Sequence, residues 1–239
     1  VNLADRYVDL LIRHLTGYRL DNCAGHPDEV RENGGDWPER AVSMIGMVRM
    51  RQLANAVSQV IDAGVPGDLM ECGVWRGGAC ILMRALLDVH DGGGRDVWVA
   101  DSFAGLPPPD SEQWPLDEGD TLWSHRELMV SQSTVEANFA EYGWLDERVR
   151  FLPGFFSLSL PGPVEQLALL RLDGDLYGSI MVCLDTLYDK VSPGGIVIVD
   201  DYGPDSRTRG ATDDYRARHG IDSPIHMTAD MNTGWWVKP

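Results

Sequence analysis

Asp68-Leu69-Met70-Glu71-Cys72-Gly73-Val74-Trp75-Arg76-Gly77-Gly78 carries a short apolar run through a glycine-bearing turn into a helical pattern over 77–90. Strand, tight turn and helix in that order open a βα unit, where glycines permit a sharp turn and close approach of a ligand to the backbone. Downstream the apolar signal recurs in Val97-Trp98-Val99-Ala100, in Val149-Arg150-Phe151-Leu152 and over 167–172 and 195–199. Helical patterns at 133–142, 176–190 and 207–218 separate these runs. The alternation predicts an α/β fold, a parallel sheet with crossover helices. Ser133-Thr134-Val135-Glu136 has the spacing of a capping box. Pro193-Gly194-Gly195 predicts a turn into the next strand, and the alternating segments 223–227 and 234–238 predict a closing pair of strands.

Before the sheet, two helices are predicted at 3–16 and 39–61, joined by a polar loop holding Gly34-Gly35-Asp36-Trp37-Pro38. This sets a helical extension over 1–64, acting as a cap or interface, apart from a main domain over 65–239. Met44, Ile45, Met47 and Met50 lie near helical spacing, more apolar than a surface appendage needs, which predicts a homo-oligomer. The stretch 105–132 has three consecutive prolines, two tryptophans and no clear periodicity. Loops of that length in compact domains are usually lids or binding loops.

The 239 residues include 20 Lys+Arg against 37 Asp+Glu, a formal net charge of −17, which argues against a nucleic-acid partner. No apolar run approaches the roughly 20 residues of a membrane helix, and no basic-then-apolar leader is visible, so no membrane partner and a cytoplasmic location are expected. Cys23, Cys72, Cys80 and Cys183 lack the spacing of a metal site, and neither disulfides nor zinc are expected.

Two groups of residues carry chemistry. In the first, Asp101 ends the second strand, where a carboxylate can accept hydrogen bonds from both hydroxyls of a ribose. The turn is a poor dinucleotide fingerprint, because its third glycine is misplaced. Glu71 suits a ligand with a cationic amino-acid end, which makes S-adenosylmethionine the leading ligand. The structural alternative is that the glycines serve only to pack helix against strand. In the second group, Asp173 ends the fourth strand, and Asp200 and Asp201 end the fifth. Three acids converging at strand ends repel one another unless a cation sits between them, and a hard ion such as Mg²⁺ takes oxygen ligands. The alternative is that these acids cap the following helices.

Taken together these segments resemble the macrocin O-methyltransferase family, whose members methylate sugar hydroxyls of antibiotics. The resemblance is carried by Gly64-Val65-Pro66-Gly67-Asp68, by 71–80 and 97–103, and by Arg150-Phe151-Leu152-Pro153-Gly154. Leu172-Asp173-Gly174-Asp175 with Tyr177, Asp200-Asp201-Tyr202, Asp36-Trp37-Pro38 and Met44-Ile45-Gly46-Met47 complete it. It implies a Rossmann-like class I methyltransferase fold with a mostly parallel seven-stranded sheet, S-adenosylmethionine as donor, and Mg²⁺ held by Asp173, Asp200 and Asp201. The expected cofactor contacts are Glu71, Gly73, Trp75, Asp101, Ser102, Phe103, Gly154 and Asp173. Where the family commonly continues with a Trp-Phe-Lys-Asp-like run after Gly154, this chain reads Phe155-Phe156-Ser157-Leu158. That departure, like the 105–132 loop, lies where an acceptor could be gripped.

The implied reaction moves a methyl group to a sugar hydroxyl of a glycosylated small molecule. Asp173 is assigned a double role, metal ligand and nearest general base, with Asp175 the weaker base candidate. The lysine that catechol-type relatives place three residues beyond the first metal acid is absent, since position 176 is Leu. His125 is more readily a solvated loop residue than a base. His219 fits a helix C-terminus, and Trp235-Trp236 fits packing. Nucleotide sugars or phenolic acceptors remain alternatives. A nicotinamide-dependent oxidoreductase would need a proper GxGxxG and a hydride-transfer pair, and a nucleotide sensor would have no use for the three acids.

Overall fold

A computed structural model describes residues 2–19 and 28–239. The chain runs α1 (Leu3–Thr16), α2 (Asp28–Glu32), α3 (Gly46–Asp62), β1 (Asp68–Cys72), α4 (Gly78–Val89), β2 (Val97–Asp101), α5 (Gln132–Glu141) and β3 (Val149–Pro153). It continues through α6 (Phe156–Ser159), β4 (Leu167–Leu172), α7 (Tyr177–Leu187), β5 (Val191–Val199), α8 (Arg207–His219), β6 (His226–Met227) and β7 (Gly234–Val237). The sheet order is β3-β2-β1-β4-β5-β7-β6. Strands β1 to β5 pair in parallel, and β7 runs antiparallel to both β5 and β6. This is the expected class I methyltransferase fold. Strand order reverses between β1 and β4, and ligands of open α/β sheets bind outside the strand ends at such a point.

The strands are apolar on both faces because helices cover both. On one face Leu69, Val97 and Leu169 pack with Ile81 and Leu82 of α4 and Phe139 of α5. On the other, Met70, Cys72 and Leu170 pack with Ile180 and Leu184 of α7, Tyr215 of α8 and Trp236. Cys72, Cys80 and Cys183 are buried and free, while Cys23 lies outside the described residues. Among the described residues no helix is long and apolar enough to cross a membrane.

The described part of the N-terminal segment packs into the core. Ile12 and Leu15 of α1 and Met50, Leu53 and Val57 of α3 belong to the same cluster as α4 and the sheet. Ile45, Met47 and Met50 are buried within the chain, and Met44 lines a cavity, so this apolar surface no longer argues for a homo-oligomer. The predicted 39–61 helix begins only at Gly46, whose φ of 73° is left-handed and whose added Cβ would lie 2.3 Å from the Gly34 nitrogen. The preceding residues are held instead by Val42 and Ser43 amides donating to the Leu15 carbonyl, at 3.1 and 3.0 Å.

Two local expectations shift. The cap of α5 is Ser131, which accepts from the Thr134 amide at 3.2 Å, and Glu136 accepts from Gln132 instead of closing a capping box. Pro193-Gly194-Gly195 lies inside β5 as an irregularity, since pairing with β4 jumps from Leu167–Val191 to Leu169–Ile196.

Candidate active site

A cavity of about 660 Å³ opens over the strand ends, a volume suited to a small-molecule site. The loops after β1, β2, β4 and β5 carry Trp75 (φ 47°), Phe103 (φ 53°), Asp175 (φ 59°) and Asp201 (φ 51°), all left-handed without being glycine. Conformations of this kind cost energy and concentrate at functional sites.

A buried network of charge runs beneath the cavity. Arg171 sits on β4 at 2% exposure and donates to Glu71, to Asp173 at 2.9 Å and to Asp200 at 2.8 Å. Arg49, in the first turn of α3, donates to the same Asp200 oxygen at 3.0 Å and to Asp230 at 3.1 Å. Its remaining nitrogen donates to the carbonyls of Asn33 and Gly34. Neither arginine was singled out from sequence. The available signal was a charged residue inside the apolar run Leu169-Leu170-Arg171-Leu172, since arginine is almost never fully buried unless paired.

These contacts involve Asp200, one of the three acids expected to hold a metal. Both oxygens of Asp200 are occupied, one by the two guanidiniums and the other by the Thr233 hydroxyl. The group that faces inward together is Asp173, Asp175 and Asp201, each offering one oxygen within 4.8 Å of the others. All three line the cavity, and Asp200 lines it with them. Burial opposes charge on Asp200, yet Arg49 and Arg171 hold its carboxyl below the usual range. Asp173 is pushed well above that range by burial and by Asp200 and Asp201, against the pull of Arg171. Burial and the neighbouring Asp201 and Asp200 likewise raise Asp175. Burial and Asp200 raise Asp201, whose side chain also accepts from Asn232 at 2.8 Å.

The expected cofactor residues divide. Asp101 lines the cavity and accepts the amides of Val74 and Phe103, both at 2.8 Å, which leaves lone pairs for further donors. Burial raises its pKa. Ser102 lines the cavity too, donating to the Gly105 carbonyl, and Trp75 joins it with its indole bonded to the Glu127 carbonyl. Glu71 borders the cavity, with Arg171 donating to one of its oxygens and the Cys80 thiol to the other at 2.9 Å. Phe103 turns its ring onto Phe151, and Gly154 donates its amide to the Asp101 carbonyl; neither is among the lining residues.

Gly73 lines the cavity, as expected of a residue near the ligand, and its lack of a side chain is also required by the fold. A Cβ there would lie 1.8 Å from the Asp173 carbonyl oxygen, so the glycine admits the neighbouring strand end. Gly77 and Gly78 are closed in the same way by Val135 and by the Val42 carbonyl. Packing therefore requires all three glycines, and Gly73 and Gly78 also border the cavity.

The 105–132 insertion is bolted over the site. Asp117 is buried and accepts the Tyr177 and Gly178 amides at 2.7 and 2.9 Å, capping α7 just beyond the Asp173–Asp175 loop. Trp114 fills the notch left by Gly178, whose added Cβ would lie 2.4 Å from the indole. Arg207 of α8 pairs with Asp120 at 3.2 Å and donates to the Leu116 carbonyl. His125 is exposed, edge-on to Trp37, and absent from the cavity lining. His219 ends α8 stacked on Tyr215, Trp236 is core, and Trp235 stacks on His226.

The comparisons agree with this architecture. The family described as Macrocin-O-methyltransferase (TylF) matches residues 5–238. The chain is 46% identical over 246 residues to the demethyldecarbamoylnovobiocin O-methyltransferase of Streptomyces niveus, covering 97% of this chain and 93% of that protein. It is 44% identical over 243 residues to the mycinamicin III 3''-O-methyltransferase of Micromonospora griseorubida, covering 96% and 95%. The solved structure of the O-methyltransferase NovP superposes with a TM-score of 0.92 at 45% identity, over 98% of this chain and 99% of that one. With this match along its length, on a sheet whose strand ends carry the expected acids, the chain belongs to the macrocin O-methyltransferase family and is an O-methyltransferase.

Proposed function

We propose that this protein transfers a methyl group from S-adenosylmethionine to a sugar hydroxyl of a glycosylated natural product, with Mg²⁺ held among the strand-end carboxylates. The observation that carries the reading is the convergence of Asp173, Asp175 and Asp201 in a cavity that Asp101 also lines. The residues fit both groups. Three carboxylate oxygens within 4.8 Å, with pKa values raised by burial and mutual repulsion, form an all-oxygen donor set short of positive charge. Asp101, anchored by two backbone amides, keeps acceptor capacity for ribose hydroxyls.

A divalent ion, when bound, acidifies a coordinated hydroxyl and fixes its direction. Asp173 and Asp201 would be its ligands. Asp175 would take the acceptor's proton, because Asp173 is already tied to a guanidinium and is the weaker base for it. Arg171 and Arg49 hold Asp200 and, through Arg171, the direction of Asp173, so the acids meet substrate in one arrangement. The insertion, fixed to α7 by Asp117, shields the cavity from water.

The test is conversion of S-adenosylmethionine to S-adenosylhomocysteine across glycosylated antibiotics, nucleotide sugars and catechols, with and without EDTA. Metal-dependent turnover on glycosides is expected. Turnover confined to catechols would overturn the sugar assignment, and full activity in excess EDTA would overturn the metal.

A further inference from the structure

Three exposed large apolar side chains border one cavity. Trp37 is 44% exposed, Phe155 37% and Leu158 83%, and all three line the cavity that holds the carboxylates. Isolated exposed apolar residues need no explanation, but a group at the edge of one cavity marks a contact surface.

The surface is built rather than floppy. Phe155 precedes and Leu158 lies within the short helix α6, in which the Leu158 amide donates to the Phe155 carbonyl at 2.8 Å. The Ser159 hydroxyl donates to the carbonyls of Gly154 and Phe155 at 3.1 and 3.2 Å. Phe156 anchors the turn: its ring lies 3.4 Å from the position a Cβ on Gly174 would take, between Asp173 and Asp175. Whatever rests on Phe155 and Leu158 is therefore next to the acids. Trp37 arrives from the N-terminal segment and is held edge-on by His125 of the insertion.

Charge narrows the occupant. Among the described residues lining the cavity, Arg49 alone is a lysine or arginine, and Asp200, Asp230 and two carbonyls consume it. A diphosphate would meet Asp101, Asp173, Asp175 and Asp201 with no free guanidinium or ammonium to receive it.

We propose that Trp37, Phe155 and Leu158 form a subsite for the uncharged, apolar aglycone of the acceptor, so that the chain selects glycosides by what the sugar is attached to. This rests on the glycoside reading above. The probes are methyl α-L-rhamnoside, 4-methylumbelliferyl α-L-rhamnoside and dTDP-rhamnose, which share a sugar and differ in its substituent. Binding is read by calorimetry with S-adenosylhomocysteine and Mg²⁺ present. The umbelliferyl glycoside should bind about tenfold tighter than the methyl glycoside, the gain expected from covering one flat aromatic group. In Phe155→Ser/Leu158→Asp that preference should vanish, with S-adenosylhomocysteine affinity unchanged as the check on folding.

Equal affinity for the two glycosides, no saturable binding of the umbelliferyl glycoside at its solubility limit, or a preference that survives the double variant would overturn the subsite. Tighter binding of dTDP-rhamnose than of the umbelliferyl glycoside would overturn the charge argument. Failure of methyl transfer on every glycoside tested would count against the proposed function and leave the binding preference standing, so the two failures are distinguishable.

Discussion

Arg49 and Asp200 lie 151 positions apart in sequence and 3.0 Å apart in space. Through this contact the N-terminal helices reach the carboxylates at the end of β5. Arg49 also holds Asp230 and the carbonyls of Asn33 and Gly34, so one guanidinium ties three parts of the chain to the site. Removing it as Arg49→Met leaves Asp230 without its guanidinium and Asp200 with Arg171 alone, and breaking a buried pair from one side costs about 3–5 kcal/mol. Urea denaturation should show a loss of that order. Arg49→Lys should recover only part, because an ammonium lacks the planar fork that meets several acceptors at once.

The cofactor assignment turns on Asp101. Asp101→Ala should weaken S-adenosylmethionine binding by about 10–100-fold, the range for losing charge-assisted hydrogen bonds. Calorimetry with a melting curve on the same sample separates lost binding from lost folding. Wild-type affinity in a folded Asp101→Ala protein would reject the ribose contact.

Asp200 and Asp201 are neighbours with opposite expected phenotypes. Asp201→Asn should leave the melting temperature near wild type and weaken Mg²⁺ binding. Asp200→Asn leaves Arg49 and Arg171 undercompensated, and should lower the melting temperature clearly. Chelation should stop methyl transfer while leaving cofactor binding in place. A stable Asp200→Asn protein with no Mg²⁺ affinity would restore Asp200 as a ligand.

The insertion should open when its notch is filled. Gly178→Ala places a methyl where the Trp114 indole now sits, which forces the ring outward. Asp117→Ala removes the α7 cap at a cost of about 0.5–2 kcal/mol. Both variants should show altered tryptophan fluorescence and faster proteolytic cleavage within 105–132, while the rest of the domain stays resistant.

Acid stability should depend on Asp146. Its carboxylate accepts from the buried Arg84 guanidinium, at 3.1 Å from Nε, and that hydrogen bond lowers its pKa below 3.8. A depressed carboxylate pKa contributes stability that is fully present above the unfolded value and is lost as pH falls through the folded one. Asp146→Asn should therefore destabilise the protein at pH 7 and flatten the stability curve below about pH 4. Denaturant titrations at pH 7 and pH 3 check this, and an equal difference between variant and wild type at both would contradict it.

The sequence by itself determined the sheet, the crossover helices and the acids at the strand ends. Runs such as Leu69-Met70 and Ile196-Val197-Ile198 and the helical pattern of 77–90 are local signals, and a residue at the end of a parallel strand has its place once the strand is known. Only the tertiary structure decided which acids face one another. Asp200 is held at the cavity by Arg171 and Arg49, and Arg49 comes from a helix far back in the chain. The freedom of Gly73 is visible in sequence, whereas the Asp173 carbonyl that also requires a glycine there lies 100 residues on. The 105–132 segment has no periodicity to read, since its shape follows from Asp117 and Trp114 fitting the start of α7. Local pattern fixes where a side chain sits along its element. Which way it points, and what charge it meets, is set by partners that only folding brings near.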